Sequence, residues 1–201
     1  MPEDGSPRAR LPVPGRVAIV LAAGSSRRFG RANKLLSRWR GAPLLLQALR
    51  IAHAAPAARV ILVTGHDRLR ISALARRGRR PIDLVHARDH RSGIAASLRA
   101  GLAAMRRHER SAFIVLGDMP AVPPAVATRL VPRLRPGFAA ARPIHRGQPG
   151  HPVLLARPSA LTLRKLRGDR GFGALIGART AMPPASGGAV LDIDRPRPRG
   201  I

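Results

Sequence analysis

Short apolar runs alternate with stretches of helical periodicity along most of this 201-residue chain. Val17 to Ala23 is a continuous apolar run of strand length that passes at once into a glycine-rich loop. Arg59–Thr64 (RVILVT), Ile82–His86 and Ser111–Leu116 (SAFIVL) repeat the pattern of a buried strand. Between them, Pro43–Ala54, Asp67–Arg77 and Ser92–Arg107 predict helices. Pro43 suits a first helical turn, because its missing N–H has no intrahelical partner there. Ile94, Leu98, Leu102 and Met105 fall near one face of the last of these helices.

Strands that are apolar on both faces, separated by helices, predict a mostly parallel sheet covered on both sides. Right-handed crossovers then give a three-layer α/β/α sandwich, Rossmann-like and doubly wound. After residue 137 the pattern changes. FAAARP and PVLLA predict strands around an HRGQPGH turn, a short helical stretch precedes GDRGFGALI, and Ala189–Asp194 (AVLDID) predicts a closing strand. The second half is thus expected to extend the same sheet in a mixed fashion. Residues 1–15, with proline at positions 2, 7, 12 and 14, predict a disordered tail, as do residues 196–201. One domain over 16–195 is expected.

Composition changes this picture in one respect. Lys plus Arg number 37 against 10 Asp plus Glu, a formal charge of +27. Such a balance raises a nucleic-acid reading. Single-strand binders, however, join basic grooves to aromatic platforms, and this chain has one Trp, four Phe and no Tyr. Its arginines are also spread along the chain, as in ARRGRR (75–80), which fits a compositional background without a specific nucleic-acid partner. The absence of cysteine excludes disulfides, thiolate metal sites and a cysteine nucleophile. No apolar run approaches the ~18 residues of a membrane span, and no signal-peptide core is present. A soluble, cytoplasmic protein without membrane partners is expected.

Open parallel sheets bind ligands beyond the carboxyl ends of their strands, and three polar clusters are predicted near such ends. In LAAGSSRRFGRANK (21–34), Gly24 and Gly30 permit close backbone approach, and Arg28 and Lys34 add fixed positive charge. Gly24, Ser26, Arg28, Gly30 and then Lys34 form neither a dinucleotide fingerprint nor a Walker A loop. In LGDMP (116–120), Asp118 ends a buried strand, a position that calls for a partner or a cation. Magnesium takes one or two carboxylates together with substrate phosphates, so one placed Asp suffices. In LDID (191–194), strand alternation would put Asp192 and Asp194 on one face, offering one of them as a second magnesium ligand. Of ten acids, three lie at these two places. Phosphate loop, cations and carboxylates are the equipment for chemistry on a nucleoside triphosphate.

The loop resembles the signature of the sugar-nucleotide-type nucleotidyltransferases, and the resemblance covers nearly the whole domain. VTGHD (63–67), GIAASLRAGL (93–102), LGDMP, GQPGHPV (147–153), GDRGFGALI (168–176) and LDID follow in the family's order. The series resembles the MobA-like molybdenum cofactor cytidylyltransferases more than the guanylyltransferases or the methylerythritol-phosphate cytidylyltransferases. It departs from them at Ala87-Arg88, where the family usually has Asn-Pro, and at Arg195-Pro196, where it usually has Thr-Pro.

The resemblance implies transfer of CMP from CTP to molybdopterin cofactor with Mg2+. The backbone around Leu21, Ala22, Ala23 and Gly24 would contact the nucleotide, with Ser26 in the same loop and Ser97 on the base or ribose side. Arg28 and Lys34 would hold the triphosphate. Asp118 would ligate magnesium, with Asp194 rather than Asp192 as the second ligand. The turn carrying His151 and the loop carrying Asp169 would face the acceptor, although His151 fits an ordinary turn histidine equally well. A molybdoenzyme or its maturation chaperone would be a further partner. Two alternatives stay open: a related enzyme using GTP or another phosphorylated acceptor, and a basic nucleic-acid-binding protein that has lost catalysis.

Overall fold

In the computed structural model, residues 15–26, 29, 32–168, 175–176 and 180–193 are described. The first half comprises β1 (Arg16–Ala22), a hairpin of β2 (Arg38–Trp39) and β3 (Ala42–Pro43), α1 (Leu44–Ala54), β4 (Val60–Thr64), α2 (Arg68–Arg76) and β5 (Asp83–His86). The chain continues through α3 (Ile94–Ala103), β6 (Ser111–Leu116) and α4 (Ala125–Leu130). It then forms β7 (Ala140–Ala141), β8 (Ile144–His145), β9 (Gln148–Pro149), β10 (Val153–Ala156), α5 (Ala160–Lys165) and β11 (Thr180–Ala181).

Seven strands make one sheet in the order β11-β7-β10-β6-β1-β4-β5. β6, β1, β4 and β5 run parallel, with Ile19 opposite both Ile61 and Ile114. β10 is antiparallel to β6 and to β7, so the sheet is mixed at this side, as the second half of the sequence predicts. The expected α/β/α sandwich is the observed one. Alternation along β1 divides the core in two. Ala18 and Val20 pack with Leu45 and Ala48 of α1, Ile71 of α2 and Leu130 of α4 on one face. Val17, Ile19 and Leu21 pack with Leu98 and Leu102 of α3 on the other.

α3 approaches the sheet closely because Gly101 has no side chain. A Cβ there would lie 2.6 Å from Cγ2 of Ile19, nearer than real packing allows. The helix is shorter than the sequence predicts. Gly93, at φ 104°, turns the chain out of helical geometry immediately before Ile94, and Ser92 belongs to a separate 3-10 turn, His90–Ser92. α1 starts one residue later than predicted, with Pro43 as its cap in extended conformation.

The predicted strand over Ala189–Asp194 is not present at its described residues, and β11 forms that edge of the sheet instead. Gly187–Ala189 is a 3-10 turn closed by the Val190 N–H on the Gly187 carbonyl. Gly188 packs where a Cβ would meet the Ala121 carbonyl at 2.1 Å, pinning the turn to the loop after β6. Ile193 N–H then donates to the Asp118 carbonyl at 3.1 Å instead of joining a ladder. Over its described residues this segment is a strap across the strand ends, and Asp194 lies outside the described residues. The HRGQPGH turn also differs from expectation, since it contains part of the small β8–β9 hairpin.

Candidate active site

The carboxyl ends of the four parallel strands gather the three polar clusters. The N–H of Gly117 donates to the Leu21 carbonyl, joining the turn after β6 to the end of β1. Likewise, His66 N–H donates to the Ala23 carbonyl, joining the turn after β4. Gly65 allows this convergence, because a Cβ there would lie 2.6 Å from Cβ of His90 and 2.8 Å from Cβ of Ala23. β10 enters the same edge from the other direction. Val153 pairs with Ile114, so His151 and Pro152, joined by a cis peptide bond, run beside the carboxyl end of β6.

Leu21, Ala22 and Ala23 are buried and Gly24 is exposed, with open space where a Cβ would stand. Beyond it the loop is held by side-chain contacts. Ser26 adopts φ 52°, and its Oγ accepts from the Lys34 backbone N–H at 3.2 Å. The Phe29 N–H donates to the Ser26 carbonyl. Asn33, not singled out from the sequence, is buried and caps the 3-10 turn Lys34–Leu36, its Oδ1 accepting from the Leu35 N–H at 3.0 Å. The signal that marks it is residue type: Asn directly before a helical turn is a preferred N-cap.

This loop delivers Lys34 to Asp118. Nζ of Lys34 lies 2.6 Å from Oδ2 of Asp118, and the two side chains are 17% and 22% exposed. A cation from the glycine-rich loop and a carboxylate from the end of β6 thus share one open spot, within reach of solvent and ligand. The Ile193 hydrogen bond to the Asp118 backbone brings the exposed Asp192 into the same neighbourhood. Arg28, Asp169 and Asp194 lie outside the described residues.

Ser97 is buried in the first part of α3. It lies one turn before Gly101 on the sheet-facing side, at the end of the helix nearest the carboxyl edge. His151 is partly buried, and its Nδ1 lies 3.4 Å from the Ile114 carbonyl. Burial pushes its imidazole down to about 4, further lowered by Arg142 and opposed by the Ile114 carbonyl and the Asp118 charge. The ring is therefore neutral near neutral pH, and its Nδ1–H faces the Ile114 carbonyl. Among the described residues, no group of three or more His, Cys, Asp or Glu side chains is gathered to cage a metal by protein alone. No helix among them is long and apolar enough to cross a membrane.

Comparison with known proteins agrees with this architecture. Residues 18–182 match the family described as the MobA-like NTP transferase domain. The molybdenum cofactor cytidylyltransferase of Escherichia coli K12 is 28% identical over 182 residues, covering 89% of this chain and 90% of that protein. The crystal structure of Rv0371c from Mycobacterium tuberculosis H37Rv superimposes with a TM-score of 0.75 at 28% identity, over 90% of this chain and 93% of that one. A manganese complex of Rv0371c gives a TM-score of 0.71 at 26% identity, with the same coverage. With its glycine-rich loop and its Lys34–Asp118 pair at the carboxyl edge of the sheet, the chain belongs to the MobA-like NTP transferase family and is a nucleotidyltransferase.

Proposed function

We propose that this nucleotidyltransferase moves CMP from CTP to the terminal phosphate of molybdopterin cofactor. The observation that carries this reading is the Lys34–Asp118 pair at 2.6 Å, formed between the glycine-rich loop and the end of β6. In the pair, an anion holder and a cation holder neutralise one another. A nucleotide with its metal offers each a better partner. The name of the similar Escherichia coli enzyme supports the choice of base and acceptor.

The donors fit a hard divalent cation. Asp118 supplies carboxylate oxygen, and the strap that carries Asp192 and leads to Asp194 is bonded to its backbone. Magnesium accepts such a sparse protein set, because waters and substrate phosphates complete its shell. Asp118, with Asp194 and less so Asp192, would hold it, and when bound it neutralises phosphate charge and polarises the reacting phosphorus. The manganese complex of Rv0371c supports a divalent ion at this fold.

The protein's own residues then bind and orient. Backbone groups of Leu21, Ala22, Ala23 and Gly24 contact the nucleotide, and Ser26 keeps the loop closed through its bond to the Lys34 N–H. Ser97 faces the base or ribose, and Arg28 and Lys34 hold the triphosphate. The acceptor side belongs to His151, whose ring is neutral, and to Asp169. An oxygen of the cofactor phosphate forms a bond to the α-phosphorus of CTP. The bond from that phosphorus to the α–β bridging oxygen breaks, and its electron pair leaves with pyrophosphate. The attacking phosphate is already anionic, so no strong general base is required. Rate comes from positioning and from charge placed where it develops. The product would pass to a molybdoenzyme or its maturation chaperone in the cytoplasm.

Pyrophosphate release from CTP, GTP and ATP in turn, each with molybdopterin cofactor and Mg2+, tests the reading. CTP is expected to be the preferred substrate; preference for GTP would overturn the choice of base and leave the fold and reaction type standing.

A further inference from the structure

A second group of cations lies away from the Lys34–Asp118 pair. Arg88, Asp89, Arg91, Ser92, Arg99 and Arg167 line a cleft of about 630 Å3, and neither Lys34 nor Asp118 takes part in it. The cleft lies between the segment that follows β5, the outer side of α3 and the end of the segment that follows α5. Ser97 and Arg99 are two positions apart on α3, so they project from widely different sides of the helix. Ser97 lies on the sheet-facing side and Arg99 on the side of the cleft.

Exposed arginines on a helix surface are solvated by water one by one. Those at the end of α2, Arg76 and Arg77, are of this kind. In the cleft, four arginines and one acid, Asp89, line a single concavity. None of the four is ion-paired with an acid among the described residues. Their mutual repulsion is strongest where low-dielectric walls concentrate the field.

Two of the four are also fixed in orientation. Arg99 Nη1 donates to the Leu166 carbonyl at 2.6 Å, and Arg167 Nη1 donates to the carbonyls of Arg164 at 2.6 Å and Leu166 at 3.1 Å. A guanidinium carries five N–H donors, so a bond to backbone orients the group and leaves others free. The walls are joined as well, since the Ala95 N–H at the start of α3 donates to the Gly168 carbonyl at 3.1 Å. Oriented guanidinium groups in a joined frame match the paired oxygens of a phosphoryl group. The volume falls in the ~300–1,000 Å3 range of small-molecule sites.

From these observations we infer that the cleft is a second anion site, which binds the phosphoryl or pyrophosphoryl group of a small molecule independently of Lys34 and Asp118. Two ligands carry that chemistry: the phosphate-bearing acceptor, and free pyrophosphate.

Calorimetric titration of the full chain with inorganic pyrophosphate at physiological ionic strength tests the inference, because the Debye length of about 8 Å there screens diffuse surface charge. The Lys34→Ala variant is expected to retain binding. Adding Arg88→Gln and Arg91→Gln, both at exposed positions and without side-chain hydrogen bonds to other described residues, is expected to weaken it at least tenfold. Adding Arg76→Gln and Arg77→Gln instead removes equal charge and is expected to change affinity less than twofold, with thermal melts confirming that every variant is folded. Equal losses from the two arginine pairs, or no binding by Lys34→Ala, would overturn the site.

Initial rates with Arg88→Gln/Arg91→Gln then identify the source. An acceptor KM raised at least tenfold, with the nucleotide KM unchanged, assigns the site to the acceptor. An unchanged acceptor KM with weakened pyrophosphate inhibition assigns it to free pyrophosphate. A variant that alters neither contradicts a functional site.

Discussion

The two ends of the central sheet each pair an acid with a base, and they do so in opposite ways. At the amino end, Glu109 is 1% exposed and saturated. Its carboxylate accepts from Arg59 Nε at 2.7 Å, Arg59 Nη2 at 2.9 Å and the Arg106 N–H at 2.6 Å. Arg59 also contacts Asp83 and the Ala104 carbonyl, while Arg157 donates to the carbonyls of Met105, Arg106 and Glu109. At the carboxyl end, the Lys34 ammonium lies 2.6 Å from the Asp118 carboxylate, and both side chains are partly reachable by solvent. A pair that ties elements together uses nearly all its bonding capacity on the protein. A pair meant for ligand stays accessible. Charge and residue type alone do not separate these cases; accessibility does.

The largest expected effect falls at the carboxyl end. Asp118→Ala removes a metal-binding carboxylate and is expected to lower turnover by two orders of magnitude or more, while the melting curve keeps its cooperativity. Lys34→Ala follows, at about 10–100-fold in kcat/KM, because Arg28 shares the triphosphate. Its stability change is expected within about 1 kcal/mol, since the pair is solvent-accessible. A crossover appears at the amino end. Glu109→Gln strips Arg59 of its buried partner and is expected to cost about 3 kcal/mol in chemical denaturation. Its turnover per folded molecule should match wild type.

The smallest effects are in pH dependence. Burial alone would raise the Glu109 carboxyl, but its bonds to Arg59 and to the Arg106 N–H, with the Arg59 charge, hold it below the ordinary value. Its contribution to stability is whole above the unfolded carboxylate range, near ~4.3, and is lost as pH falls through the folded value. His151, pushed down to about 4 chiefly by burial, takes up its proton first in the unfolded chain. Stability therefore declines as pH falls from ~6.5 toward that value. Denaturation at about pH 7 and about pH 5 should show a shallower decline in His151→Gln than in wild type. Equal slopes would place that acid sensitivity on other groups.

These contrasts also mark what sequence alone can reveal. β1, β4 and β6 are legible to within a residue or so, because each is a nearly continuous apolar run ended by a polar or glycine residue, while β5 (Asp83–His86) has only Leu84 and Val85 apolar and lies largely exposed at the sheet's edge. Two-residue strands such as β2, β3 and β11 carry too little periodicity to read. Val190, Leu191, Asp192 and Ile193 imitate a strand, but Gly188 and the Asp118 carbonyl draw that segment across the strand ends instead. Of the site, the glycine loop and Asp118 stood out as local patterns, whereas nothing local relates residue 34 to residue 118. Their contact arises from the parallel pairing of β1 with β6. Ser97 was legible only through family resemblance, since a serine in an alanine-rich helix signals nothing by itself. The Arg59–Glu109 network and the arginine cleft were hidden in a charge that reads as background until the fold separates convex surface from concave.

The central claim is that the carboxyl edge supports attack at the α-phosphorus of a nucleotide. It is tested most directly by incubating the protein, Mg2+ and molybdopterin cofactor with CTP labelled at either the α- or the γ-phosphate. The account predicts that the α-label becomes attached to the cofactor while the γ-label leaves in pyrophosphate. Transfer of the γ-label to the cofactor, or attachment of neither label, would contradict it.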